Sequence, residues 1–78
     1  MTFLALLFFA QDFNAQALDY VRQARDTANP VFHQKAEAAL QQSFAAAPDN
    51  FDGLKARTWL LLGQHRFSEA LELAKKLN

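Results

Sequence analysis

The sequence contains no cysteine, and only two glycines and two prolines occur in its 78 residues. Without cysteine the chain cannot form a disulfide, a thiolate zinc site or a cysteine nucleophile. The shortage of glycine and proline leaves few residues for the tight turns that a β-sheet needs, whereas alanine and leucine, which favour helices, are abundant. The sequence therefore predicts an all-α protein.

An excess of charge of one sign is also missing. Eight basic side chains balance eight acidic ones, and the longest run of like charge is the pair Lys75-Lys76. A nucleic-acid-binding arm or an acidic tail needs a longer run of like charge. We therefore predict no nucleic-acid partner. A chain of this length buries only about 60% of its unfolded surface, so a small free energy of unfolding is expected.

A long hydrophobic run is absent as well, because the apolar stretch 1–10 falls far short of the roughly 20 residues that span a bilayer. A membrane partner is therefore not expected. We predict that the segment 1–14 is a short apolar helix that covers the first helix pair. The alternatives are a boundary left by truncation and a secretory signal with a small-x-small site at 15–17, although no Lys or Arg precedes the apolar run. Localisation stays open, and the cytoplasm is favoured over export.

Beyond residue 14, helix-capping residues and prolines divide the chain into four helix-length segments with apolar positions at helical spacing. Pro48 separates the second segment from the third, and Gly63 is predicted to end the third. Lys75 and Lys76 lie at the C-terminal end of the fourth, where the helix dipole favours positive charge. The predicted helix starts are Asn14, Asn29-Pro30, Asp49-Asn50 and Ser68.

The two predicted helix pairs resemble each other at a constant offset. Four residues of the first helix pair each have a counterpart 34 positions later, in the corresponding helix of the second pair (70 − 36 = 34). A fixed period of this length is the sequence mark of a repeat architecture. The matched pairs are Tyr20 and Leu54, Ala24 and Thr58, Ala36 and Ala70, and Leu40 and Ala74.

These residues resemble the tetratricopeptide repeat (TPR) family, whose period is 34 residues. The resemblance rests on the stretch 36–44, on Ala-Pro-Asp-Asn at 47–50 and on Phe-Ser-Glu-Ala-Leu at 67–71. It implies an α-α superhelix of antiparallel helix hairpins, with one repeat at 15–48 and a second at 49–78. Small residues at the matched positions would let two helices approach closely. The chain departs from the family pattern at Arg57, where an apolar residue is usual, so the two repeats are divergent.

The resemblance also implies a function, because the first helix of each TPR pair lines a concave groove that holds a peptide. The groove would contain Val21, Arg22, Arg25, Lys55 and Trp59, accompanied by Leu18, Asp52, Ala56 and Leu62. Arginine can bind a carboxylate through two hydrogen bonds, so an acidic peptide is the expected partner. Two alternatives stay open: the basic side chains could be solvated, and Trp59 could be buried between helices.

A second surface is predicted on the last helix, where Leu71, Ala74 and Leu77 form an apolar side that nothing downstream in this sequence covers. We expect it to be covered by further repeats of a longer chain, of which this would be an N-terminal piece. The alternative is a homodimer that forms through this face. In that alternative the chain is a structural module that self-associates.

Catalytic and metal-binding patterns are poorly represented. His33 and His65 are not paired with a second histidine at the spacing of a metal site, and we predict that both are solvated or edge residues. Asp49 and Asp52 bracket a helix start and are expected to cap it rather than to act as an acid-base pair. The sequence predicts a protein-binding scaffold with no catalytic residues, no metal and no cofactor.

Overall fold

The computed structural model describes residues 3–77, with side chains placed for residues 9–77. The described residues contain no strand, which confirms the all-α prediction. The four helices are α1 (Phe3–Thr27), α2 (Val31–Ala46), α3 (Phe51–Gly63) and α4 (Phe67–Lys76).

A single helix, α1, occupies the region where the sequence predicted a short helix followed by a second one. Asn14 lies in its interior, so the predicted helix start at this residue was wrong. The range 3–27 contains neither glycine nor proline to break the helix. Asparagine favours helix caps because its side chain competes for backbone groups, whereas the Asn14 amide is bonded to side chains of other helices. The predicted segment 1–14 also includes two residues that lie outside the described range.

The predicted starts of α2 and α3 are confirmed by side-chain caps. The Val31 backbone N–H donates to Asn29 Oδ1 at 3.1 Å, and Pro30 immediately precedes α2. The Gly53 N–H donates to Asn50 Oδ1 at 2.7 Å, which caps α3. Both caps accept a hydrogen bond from an N–H that has no partner inside its helix.

The helix α3 ends at Gly63, as the sequence predicted. The left-handed residue of the turn that follows is His65, with φ of 60°. The N–H of Arg66 donates to the Leu61 carbonyl at 2.9 Å, and that of His65 donates to the Leu62 carbonyl at 3.1 Å. These two bonds form a Schellman motif, which satisfies the last carbonyls of the helix.

The last helix begins at Phe67, so the predicted start at Ser68 was also wrong. Arg66 precedes it without a side-chain cap, and its carbonyl accepts from the Ala70 N–H at 3.0 Å. Because the Arg66 N–H already belongs to the turn after α3, the chain passes from one helix directly into the next. The connection therefore leaves no position for a separate capping residue.

The four helices do not form a closed bundle in the described part of the chain. The helix α1 contacts α2 and α3, and α3 also contacts α2 and α4, whereas α4 contacts α3 alone in the described part of the chain. Of the four matched alanines, Ala24, Ala36 and Ala70 are buried, whereas Ala74 is half-buried. Small side chains in the core allow the helix backbones to approach closely. The core at the junction of α1, α2 and α3 consists of Ala17, Ala36, Ala39, Leu40, Ala56 and Leu60.

A ring of hydrogen bonds joins the first three helices beside this core. Ser43 Oγ donates to Asn14 Oδ1 at 2.6 Å, Asn14 Nδ2 donates to Asn50 Oδ1 at 2.9 Å, and Asn50 Nδ2 donates to Ser43 Oγ at 3.0 Å. Asn14 and Ser43 are buried, and Asn50 is half-buried. Each side chain donates to the next and accepts from the previous one, so the polar atoms are satisfied without water. The ring fixes the start of α3 against α1 and α2.

Arg57, which departs from the family pattern, is accommodated by an ion pair between α2 and α3. Its guanidinium donates to the two carboxylate oxygens of Glu37 at 2.7 and 3.4 Å and lies 5.5 Å from the centre of the Phe44 ring. Both charged side chains are partly exposed. The aromatic face and the paired carboxylate explain why a cation is tolerated at this position.

Candidate partner-binding face

The residues predicted for a groove lie mainly where α1 and α3 run side by side. We call this surface the α1–α3 face and define it by Leu18, Val21 and Arg25 of α1 with Lys55, Trp59 and Leu62 of α3. Two cavities open on it, and Trp59 lines both. The Trp59 side chain is 53% exposed, so the alternative in which it is buried between helices does not hold.

The larger cavity lies at the end of the face where α1 and α3 finish and α2 begins. We call it the turn cavity; its volume is about 700 Å³. Apolar side chains form one part of its wall, and polar side chains together with turn residues form the remainder. The apolar part consists of Val21, Ala24, Trp59 and Leu62, and the polar part includes Arg25, Asn29, His33, Gln64 and His65.

The smaller cavity, of about 240 Å³, lies on the other side of Trp59. Leu18 contributes apolar surface, while Lys55 and Asp52 contribute one charge of each sign. Asn14 also lines it, so the hydrogen-bond ring borders this cavity. A segment lying along the α1–α3 face would contact both cavities and pass over the exposed indole.

Four of the five residues predicted to form the groove line these cavities. Val21, Arg25 and Trp59 border the turn cavity, and Lys55 borders the smaller one. Arg22 borders neither cavity and lies 3.5 Å from Asp19 in an exposed ion pair. The accompanying residue Ala56 belongs to the core and is fully buried, so its placement on the groove surface was wrong. Its small side chain serves helix packing instead.

The two histidines are the functional candidates that sequence analysis missed. Both line the turn cavity, although they are 32 residues apart in sequence. His33 is half-buried, while His65 is exposed and makes an edge-to-face contact with Phe67 at 5.6 Å between ring centres. The 34-residue offset could have predicted that the two histidines lie close together, because it gives the turns after α1 and α3 equivalent positions. Equivalent turns of stacked hairpins lie at the same edge.

A third cavity, of about 770 Å³, lies between α2 and the α3–α4 turn. Its wall is mostly polar and includes Glu37, Arg57 and Arg66, whose charges are paired. Partner-binding sites combine apolar surface with a few oriented polar groups. The turn cavity fits that description better, because Trp59 and Leu62 expose apolar surface beside the polar end.

The predicted association face is only partly exposed. Leu71 is 56% exposed, whereas Ala74 and Leu77 are half-buried. Phe67, one helical turn before Leu71, is 59% exposed. The apolar surface of α4 therefore consists chiefly of Phe67 and Leu71.

Among the residues that the structure describes, no group of three or more His, Asp or Glu side chains is placed to hold a metal ion. None of the helices in the described range has the length and hydrophobicity needed to cross a bilayer.

Comparison of the chain with protein-family models, curated proteins and solved structures finds no significant match. The resemblance to TPR proteins consequently rests on the residues of this sequence and on the 34-residue offset.

Proposed function

We propose that this chain is a partner-binding module that holds a segment of another protein on the α1–α3 face. The observation that carries the proposal is the position of Trp59, half exposed and bordered by a cavity on each side. Large aromatic side chains at the centre of an apolar surface contribute strongly to protein binding. The TPR resemblance supports the same face, since the first helices of successive pairs form the groove in that family.

An acidic partner segment is supported by the charges at the face. Lys55 is exposed, and Arg25 lies 3.7 Å from Asp26 in an exposed ion pair. Ion pairs of this kind contribute little to stability. A partner carboxylate can therefore replace Asp26 as the ligand of Arg25 without unfolding the chain.

Replacing Trp59 with alanine is expected to weaken partner binding about tenfold, because an aromatic anchor is removed from the middle of the surface. Phe51→Ala is the matched control: Phe51 lies on the same helix, is 57% exposed and borders none of the three cavities. A partner recovered by affinity capture would be titrated against the original chain and both variants. Circular dichroism would check that all three are folded. Equal affinities for the two variants would contradict the proposal.

The second candidate function is self-association through α4, which the exposure of Phe67 and Leu71 favours. Apolar side chains one turn apart form a continuous patch that a second copy or further repeats could cover. The α1–α3 face and the α4 surface are formed by different residues, so the two functions can be tested separately.

Leu71→Lys is expected to keep the chain monomeric if α4 mediates self-association, because a charge in an apolar contact must lose its hydration. Light scattering at several concentrations measures the molar mass. Gln42→Lys, which adds the same charge at an exposed position of α2, should leave self-association unchanged. A chain that is monomeric at every concentration before substitution would remove this candidate.

A further inference from the structure

The ionisable side chains that line the turn cavity are Arg25, His33 and His65, and no carboxylate lines it. Arg25 is already paired with Asp26, which lies outside the cavity wall. Neither histidine forms an ion pair with a carboxylate of the described residues. The charge of the cavity wall therefore depends mainly on whether the two histidines are protonated.

The charged groups on the surrounding helices cancel in pairs. On α2, Glu37 follows His33 by one turn and is held by Arg57 of α3. Beyond the turn, Arg66 is paired with Glu69 of α4. Because each of these carboxylates has a cationic partner, none is free to neutralise a protonated histidine.

One helix end at the cavity favours a bound anion. The helix α2 begins at Val31 at the edge of the cavity, and a helix N-terminus favours a negative group. The helix end therefore suits a carboxylate of the partner.

We propose that the turn cavity binds an acidic segment of the partner protein, with its carboxylates beside His33 and His65 and an apolar side chain on Trp59 and Leu62. This inference rests on the proposed function and assigns a partner chemistry and a pH dependence to the same face. Histidine is the side chain that ordinarily changes charge between about pH 5 and pH 8. Binding becomes tighter as the pH falls through that range, since each protonation adds a positive charge that the cavity does not neutralise.

Trp59 is the only tryptophan, so its fluorescence reports occupation of the cavity. The probes are a capped peptide, Ser-Glu-Phe-Glu-Ser, and its neutral counterpart, Ser-Gln-Phe-Gln-Ser. Titrations at about pH 6 and about pH 8 keep the peptide carboxylates ionised, since glutamate titrates near pH 4.3. The affinity for the acidic peptide is expected to rise about three- to tenfold at the lower pH, and that for the neutral peptide to stay constant.

The double variant His33→Gln, His65→Asn should abolish the rise while retaining the binding seen at the higher pH. Asparagine tolerates the left-handed conformation of His65, so the turn is preserved. Lys76→Gln, which removes a positive charge at the far end of α4, is the matched control and should keep the rise. Circular dichroism at both pH values would verify that each variant is folded.

Four outcomes would overturn the inference. A rise that survives in the double variant, or an equal rise for the neutral peptide, would refute the role of the histidines while leaving binding at Trp59 intact. Binding of both peptides without any pH dependence would also refute the role of the histidines and would leave binding at Trp59 intact. If neither peptide changes Trp59 fluorescence at either pH, the acidic-segment assignment fails, and the Trp59→Ala and Phe51→Ala comparison decides the proposed function separately.

Discussion

Asn14→Ala is expected to lower the free energy of unfolding by about 2–4 kcal/mol, a large part of the stability of so small a domain. The substitution removes both the acceptor of the Ser43 hydroxyl and a donor to the Asn50 side chain. Ser43 is fully buried, so water cannot replace the lost partner. Alanine is the better helix former, but that gain is smaller than the loss of the buried hydrogen bonds. Urea denaturation would measure the change.

A double-mutant cycle identifies the hydrogen-bond ring as the cause. Ser43→Ala should destabilise the original chain, but it should have much less effect once Asn14 is alanine, because the hydroxyl has already lost its acceptor. Gln16→Ala serves as the control, since Gln16 is an exposed polar residue of the same helix. It should change the free energy of unfolding by less than about 0.5 kcal/mol. Additive effects of Asn14→Ala and Ser43→Ala would contradict a cooperative ring.

The ring also has a consequence for the α1–α3 face. Asn14 lines the smaller cavity, and Asn50 caps the helix that carries Trp59. Loss of the ring should therefore loosen the start of α3 against α1. The surface proposed to bind a partner and the stability of the domain therefore depend on the same three side chains.

Gly53→Ala is expected to lower the free energy of unfolding by about 2 kcal/mol, although alanine ordinarily stabilises a helix relative to glycine. A Cβ at this position would lie 2.8 Å from Phe44 Cε1 and 2.9 Å from both polar atoms of the Asn50 side chain. The Asn50 amide cannot move aside without breaking its bonds to Asn14, Ser43 and the Gly53 N–H. The added methyl group therefore disrupts both the cap and the ring. Urea denaturation measures this change as well.

Gly63→Ala provides a matched control on the same helix. A Cβ there would lie 3.6 Å from His33 Nε2 and 4.0 Å from Val21 Cγ1, which are ordinary contact distances. This substitution should leave stability unchanged or raise it by up to about 1 kcal/mol through helix propensity. Similar destabilisation by both substitutions would show that the space around Gly53 is not the reason.

The sequence predicted much of the helix layout and part of the candidate site. The starts at Asn29-Pro30 and Asn50 were correct because each depends on a hydrogen bond between residues two or three positions apart. Val21, Arg25 and Trp59, which the sequence predicted to line a groove, all border one cavity, and their role in binding a peptide stays a prediction. That His33 and His65 line the same cavity was missed, because the two residues are 32 positions apart in sequence and lie at different turns.

The sequence by itself determined that the chain is helical and where most of its turns lie, because helix propensity, capping and the proline positions act over a few residues. Only the tertiary structure decided what Asn14 does. A polar residue in a helix can cap, bend or cross-link, and the choice depends on whether distant side chains such as Ser43 and Asn50 come within hydrogen-bond distance. The same holds for the turn cavity, which exists only where the ends of α1 and α3 meet the start of α2.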